Sequence, residues 1–226
     1  MKKPLIILTG PTAVGKTKLS ISLAQAVNGA IISADSMQVY RHMDIGSAKI
    51  RPEEMCGVPH YLIDVLDPSE EFHVVKFVEL AHEAMEKIYA AGQIPIVTGG
   101  TGFYIQALLK EVDFTESHGE LPIRKQLEEK AATEEGAAEL YRELSEVDPA
   151  SAETIHPNNV KRVIRALEYY HETGQKISEH NEEQKQKESP YCSAYFVLND
   201  ERSILYDRID RRVDQMICDG LVDEVF

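Results

Sequence analysis

Leu5-Ile6-Ile7-Leu8-Thr9-Gly10-Pro11-Thr12-Ala13-Val14-Gly15-Lys16-Thr17 decides the fold. Its last eight residues fit the phosphate-loop pattern G-x-x-x-x-G-K-[ST]. The apolar run Leu5 to Leu8 reads as a buried strand, and Lys18 to Val27 carries Leu19, Leu23 and Ala26/Val27 at helical spacing. In such a strand-loop-helix unit the loop N–H groups and the helix N-terminus cradle phosphate oxygens. Lys16 then reaches the distal phosphate, and the Thr17 hydroxyl is placed to hold Mg²⁺. Gly10, Pro11, Thr12, Ala13, Val14, Gly15, Lys16 and Thr17 are therefore the expected diphosphate or nucleotide site. A glycine-rich turn without a ligand is the competing reading, which the flanking strand and helix disfavour.

Strands and helices alternate outward from this motif for about the first 110 residues. Ala30 to Ala34 reads as a second strand. Val74 to Ala91 reads as a helix with Val74, Val78, Ala81, Met85 and Ile88 on one face, and Ile94 to Val97 as a third strand. Alternation of this kind predicts an α/β fold, a P-loop NTPase-like parallel sheet flanked by helices. Ligands bind such sheets at the carboxyl ends of the strands. Three clusters lie there: the phosphate loop, Asp35-Ser36-Met37-Gln38, and Thr98-Gly99-Gly100-Thr101-Gly102.

From Glu116 to Pro190 the character changes to Glu, Lys, Gln and Ala, with helical periodicity in Leu121 to Lys130, Glu134 to Val147 and Pro157 to Thr173. This predicts a mainly helical insertion over 116–190 within an α/β core made of 1–115 and 191–226. Glu179 to Ser189 reads as an exposed linker. Ser193 to Leu198 reads as a returning core strand, and Arg202 onward as an amphipathic helix through Leu205, Ile209, Val213 and Met216. The chain stops inside an apolar helical pattern without a cap, so the core is expected to be C-terminally incomplete.

At 226 residues, 43% hydrophobic and 27% charged, the chain is long enough to bury a sizeable core. No stretch approaches the roughly 20 apolar residues that a membrane helix needs, so no membrane association is expected and the cytoplasm is the default. Cys56, Cys192 and Cys218 are far apart, which suggests neither a disulfide framework nor a zinc site. A formal charge of -14 argues against a broadly basic surface while leaving room for a local basic patch. Among the 8 histidines, His60 precedes an apolar stretch, His156 sits at a turn with Pro157 and His180 lies in the polar linker. None forms a convincing metal pair, so Mg²⁺ is the only metal expected.

A phosphate loop serves kinases, hydrolases and transferases with a diphosphate leaving group. The N-K-x-D base-reading motif of GTPases is missing. ATPases usually end an apolar strand on an acid that holds Mg²⁺, whereas the third strand here ends in Thr98-Gly99-Gly100. Asp35 is then the one strand-end carboxylate near the loop. From the residues alone it is equally a Mg²⁺ ligand, a general base or a helix cap.

Six blocks in order resemble the tRNA dimethylallyltransferase family: Gly10 to Thr17, Asp35 to Tyr40, Met43 to Lys49, Val58 to Asp64, Thr98 to Tyr104 and Arg162 to Glu168. The resemblance covers essentially the whole chain. It implies transfer of a dimethylallyl group from dimethylallyl diphosphate to N6 of the adenosine 3′ to the anticodon, with the tRNA anticodon stem-loop as partner. It implies Asp35 as general base, Thr101 at the reacting groups and Arg212 on the diphosphate. The competing reading of Thr101 is a helix N-cap. That of Arg212 is a solvated helix residue beside Arg208 and Arg211, which have Asp207, Asp210 and Asp214 for ion pairs. By the same resemblance, Ser36, Met37 and Gln38 position the target adenine, which must leave its stack and enter a channel between the lobes. The helix after Pro157 turns Val160, Val163, Ile164 and Leu167 inward and leaves Lys161, Arg162 and Arg165 on its outer flank, spaced to line a phosphate backbone. Glu168 and Glu172 on that helix favour an ordinary solvated face instead. The resemblance adds Arg124, Asn159, Val160 and Val163 to the tRNA set, although Asn158-Asn159 stands where the family commonly has Asn-Asp. A monomer is favoured. A small-molecule or nucleotide kinase is the alternative enzyme, and a noncatalytic nucleotide-dependent RNA-binding module the alternative class.

Overall fold

The computed structural model describes residues 2–112 and 122–226. Strand β1, Lys3–Thr9, is flanked by a strand on each side and covered on both faces, so its middle is apolar without alternation. It runs through the phosphate loop into helix α1, Lys16–Val27, which ends at Asn28 in the left-handed conformation. Strand β2, Gly29–Ser33, is buried at every position. There follow the two-residue strand β3, His60–Tyr61, helix α2, Val74–Ala90, strand β4, Ile94–Gly99, and helix α3, Gly102–Lys110. Next come α4, Pro122–Lys130, α5, Glu134–Val147, α6, Pro149–Thr154, α7, Val160–Thr173, and α8, Ile177–Gln186. The chain then returns as strand β5, Tyr191–Val197, helix α9, Arg202–Cys218, and the short helix α10, Leu221–Val225.

The strands form one sheet in the order β3-β2-β4-β1-β5, and every pair is parallel. Ile6 of β1 stands opposite Ile96 of β4 and Ala194 of β5. Because successive strand residues point to opposite faces, Leu5, Ile7, Ile32 and Val97 pack with Phe77, Met85, Ile88, Ile105 and Leu108 of α2 and α3. Their neighbours Ile31 and Ile96 pack on the other face with Ala24 of α1 and Val58. Each such side chain contributes about 1.5–3 kcal/mol by leaving water, and together they fix the strand ends that carry the site.

The chain divides into two compact units, Met1–Val112 with Ser189–Phe226, and Asp113–Glu188. The expected boundary at 115/116 and the expected helix start at Leu121 lie outside the described residues. The second unit has its own core of Leu127, Leu140, Leu144, Val163, Ile164 and Leu167. Thr133 caps α5 by accepting the Gly136 N–H at 3.1 Å. Asp148 caps α6 and also accepts the N–H and hydroxyl of Ser178 at 3.0 and 2.6 Å, which ties down the start of α8.

Four expectations need correction. Glu179 to Gln186 is not a linker but most of α8, held by Asp148 and by the ring of His180 against Tyr169. Helix α7 starts at Val160, because Pro157–Asn159 forms a turn in which the His156 Nδ1 accepts the Asn158 N–H. Strand β5 is the edge of the sheet rather than its core, with Tyr195, Phe196 and Val197 46%, 51% and 66% exposed. Glu168 is fully buried, not part of a solvated face of α7.

Candidate functional site

A cavity of about 470 Å³ opens at the carboxyl ends of β1, β2 and β4. The phosphate loop forms one wall. Gly10 has φ +151, and a Cβ there would lie 2.5 Å from the Leu198 carbonyl oxygen, so the loop enters its turn only with glycine. Ala13 and Gly15 also have positive φ, which curls the backbone. Gly15 caps α1 without a side-chain hydrogen bond, so the first-turn N–H groups lack a side-chain acceptor and suit an anion. Lys16 folds back and donates to the carbonyls of Gly10 and Pro11 at 2.9 and 2.8 Å. Burial and the nearby Arg212 cation lower the Lys16 pKa, and the Asp35 carboxylate opposes them. A phosphate entering here meets a lysine whose charge is under-compensated.

Asp35 leaves β2 into a turn in which its Oδ1 accepts the Met37 and Gln38 N–H groups at 2.8 and 3.3 Å. Both bonds fall on Oδ1, so Oδ2 remains an acceptor for a substrate proton. Asp35 is the sole carboxylate among the described residues lining the cavity. Gln38 is braced on both ends: its Oε1 accepts the Ser33 hydroxyl at 3.0 Å, and its Nε2 donates to the Ser47 and Ala48 carbonyls, each at 3.3 Å. The Met43–Lys49 loop is therefore built onto the Asp35 turn. Lys49, its side chain 4% exposed, locks that loop by bridging Asp44 and Asp64 at 2.5 and 2.6 Å. Burial opposes the Lys49 charge, but these two carboxylates raise its pKa above the ordinary value.

Opposite Asp35, β4 ends in Thr98-Gly99-Gly100. A Cβ on Gly99 would run into the Ala34 backbone, so glycine lets β2 and β4 close to form the cavity floor. The buried Thr98 Oγ1 has no hydrogen-bond partner among the described residues, although Thr98 lines the cavity. Thr101 precedes α3 without making a side-chain cap bond, so its hydroxyl is not used as the N-cap reading requires. It lies just outside the cavity lining. Arg212 of α9 lines the cavity together with Arg208, whose guanidinium pairs with Asp200 at 3.0 Å and reaches the Ala13 carbonyl at 3.5 Å.

The family model described as IPP transferase matches residues 38–226. The chain belongs to the IPP transferase family. It is 65% identical over 223 residues to a tRNA dimethylallyltransferase from Lachnoclostridium phytofermentans, covering 99% of this chain and 71% of that one. Against the Bacillus licheniformis tRNA dimethylallyltransferase the identity is 52% over 224 residues, with 99% and 71% coverage. Among solved structures, the full-length tRNA isopentenylpyrophosphate transferase of Bacillus halodurans is 46% identical with a TM-score of 0.67, covering 99% of this chain and 69% of that one. A eukaryotic dimethylallyltransferase acting on tRNA is 39% identical with a TM-score of 0.85, covering 98% and 55%.

In this IPP transferase the structure brings Gly15, Lys16, Thr17, Asp35, Gln38 and Arg212 to one cavity. Ser36 and Met37 stand beside it, Met37 being exposed. In the helical unit, Lys161 and Arg162 are exposed and Asn159 precedes α7 without a side-chain cap bond. Val160 packs against the helical core and Val163 is buried within it, so the side chain of Val163 offers no surface. Arg124 and Arg165 both hold the buried Glu168 carboxylate, at 3.3 and 3.0 Å, and Arg124 also pairs with Glu128. Their charge is partly engaged inside the protein.

Sequence reasoning missed Arg208 as a site residue. Its signal was there, since Arg208 lies one helical turn before Arg212 and shares its face. His60 also lines the cavity, with its Nδ1–H donating to the Val58 carbonyl at 2.8 Å and burial lowering its pKa. Ile31, Ile50 and Ile63 give the cavity an apolar side that no motif announced.

Proposed function

We propose that this site transfers a dimethylallyl group from dimethylallyl diphosphate to N6 of the adenosine 3′ to the anticodon of tRNA. One observation carries the reading: Asp35, the one carboxylate among the described residues lining the cavity, shares it with an anion-binding loop and with Lys16, Arg208 and Arg212. The N6 lone pair is delocalised into the purine, so the amine gains from an acceptor for its proton as the new C–N bond forms. Asp35 Oδ2 takes that proton while N6 attacks C1 and the C1–O bond to diphosphate breaks. The negative charge that develops on the leaving diphosphate is met by the loop N–H groups, Lys16 and Arg212. Ile50 and Ile63 supply apolar surface for the prenyl tail.

Mg²⁺ suits the residues present. Among the described residues no cluster of three or more His, Cys, Asp or Glu side chains is arranged for a metal. Mg²⁺ needs none, since it commonly rests on substrate phosphates and water with few protein ligands. The Thr17 hydroxyl would hold it, and its charge would stabilise diphosphate as leaving group. Lys161 and Arg162 are the side chains that would meet the tRNA backbone. No helix among the described residues is long and apolar enough to cross a membrane.

The test is to incubate the protein with Mg²⁺, dimethylallyl diphosphate and unmodified tRNA, then digest the RNA and weigh its adenosines. Prenylated adenosine that disappears with Asp35→Asn supports the reading. A parallel reaction with ATP that shows phosphoryl transfer, with no prenylation, sinks it in favour of a kinase.

A further inference from the structure

Helix α9 reaches the cavity with two arginines, and besides burying Leu205 it is held by polar contacts at two places. Its first attachment is at the phosphate loop, through the bond from Arg208 to Ala13. Its second lies beyond its far end. The Glu224 carboxylate on α10 accepts three backbone N–H groups in a row, those of Asp44 and Ile45 on Oε2 at 2.7 Å each and that of Gly46 on Oε1 at 2.8 Å. Three convergent amides form an anion nest, and in this chain the anion is its own glutamate, 178 to 180 residues away in sequence. The fit is close. A Cβ on Gly46 would lie 3.2 Å from the Leu221 side chain and 3.4 Å from Glu224 Oε1. Arg51 adds an ion pair to Asp219 at 3.6 Å, between α9 and α10.

The turn that Glu224 holds is part of the site. Residues 44–46 lead into Ser47 and Ala48, whose carbonyls brace Gln38, and Gln38 shares the Asp35 turn. One carboxylate thus joins the end of the arginine-bearing arm to the loop behind the general base.

We infer that Glu224 is a positioning residue, a latch on the Asp44–Gly46 turn that holds α9 so that Arg212 faces the diphosphate. The inference rests on the prenyl-transfer reading of the cavity. The latch touches neither substrate, so its effect on diphosphate runs through Arg212.

The probe is inorganic diphosphate with Mg²⁺, titrated into wild type, Glu224→Ala, Arg212→Ala and the double variant of the full chain. Glu224→Ala weakens diphosphate binding about tenfold. If the latch acts through Arg212, the double variant binds no more weakly than Arg212→Ala alone. Multiplying effects in the double variant would overturn the latch. Glu224→Gln, which keeps the shape and one acceptor oxygen, gives an intermediate loss if the variant folds as wild type does. Amide hydrogen exchange on the same proteins supplies a readout independent of ligand. Glu224→Ala speeds exchange both in residues 44–49 and around Arg212, and a change confined to 44–49 overturns the latch. Wild type that binds no diphosphate would sink the reading of the cavity, and the exchange result would then decide the latch alone. Wild type that binds diphosphate as tightly as both Glu224 variants would sink the latch and leave that reading standing.

Discussion

In the proposed reaction Asp35 divides its work between two oxygens, and the division makes its role testable. Oδ1 holds the backbone of Met37 and Gln38, and Asn in its place keeps a carbonyl oxygen there. Asp35→Asn therefore preserves the turn while removing the proposed proton acceptor, and turnover is expected to fall about 10²- to 10⁴-fold. Single-turnover prenylation measured beside tRNA binding checks this, with affinity close to wild type. At Gly99 the constraint is steric. Gly99→Ala pushes β4 away from the Ala34 backbone and widens the cavity floor. Loss of diphosphate affinity with the helical unit intact is the expected result, measurable by titration and by the circular dichroism of the helices.

Elements that rest on local chemistry were legible in the sequence, and those that rest on distant partners were not. The phosphate loop needs glycines and Lys16 in fixed order, so its motif is its structure. Helix α5 begins and ends where its periodicity does, because Thr133 caps it from the neighbouring position. Strand β3 has two residues and no pattern to read. Strand β5 reads as core because Tyr195, Phe196 and Val197 are apolar, and composition does not reveal which strand falls at the edge. Helix α8 has few apolar residues, and its anchor is a pair of bonds from Ser178 to Asp148 across 30 residues. In the site, the spacing that puts Arg208 on the face of Arg212 was legible, but not that this face meets the cavity.

Asp148 illustrates what such an anchor is worth. Burial works to raise its pKa, but the hydrogen bonds from Ser178 and Ser151 outweigh it and hold the carboxyl below its ordinary value. A carboxyl lowered on folding stabilises the folded state above its unfolded pKa, and that contribution disappears as pH falls through the lowered folded value. Asp148→Ala removes the contribution at neutral pH and leaves the Ser151 and Ser178 donors without it. The loss is expected to be on the order of 1–3 kcal/mol. Urea unfolding at pH 7 and at pH 3 checks this, with the variant and wild type closer together in acid.

For the whole molecule, a formal charge of -14 means that binding to a polyanion must run through a few exposed cations. Lys161→Ala and Arg162→Ala are each expected to lower the slope of log affinity for tRNA against log salt by about 1, through loss of a phosphate contact. Arg165→Ala is different, since Arg165 shares the buried Glu168 with Arg124. Its main expected effect is a stability loss of about 1–3 kcal/mol, seen as a lower urea midpoint.

The strand order carries a consequence for synthesis. Strand β1 leaves the ribosome well before one of its two neighbours, β5, whose Tyr191 pairs with Lys3. The contiguous stretch 113–188 is translated in between, at about 5–20 residues per second, and it carries a core of its own. The nascent chain must therefore keep one edge of β1 open for about half a minute at the slower of those rates, while a separate core assembles behind it. The phosphate loop is made before that wait, and Arg208 and Arg212, which line the same cavity, arrive only after it.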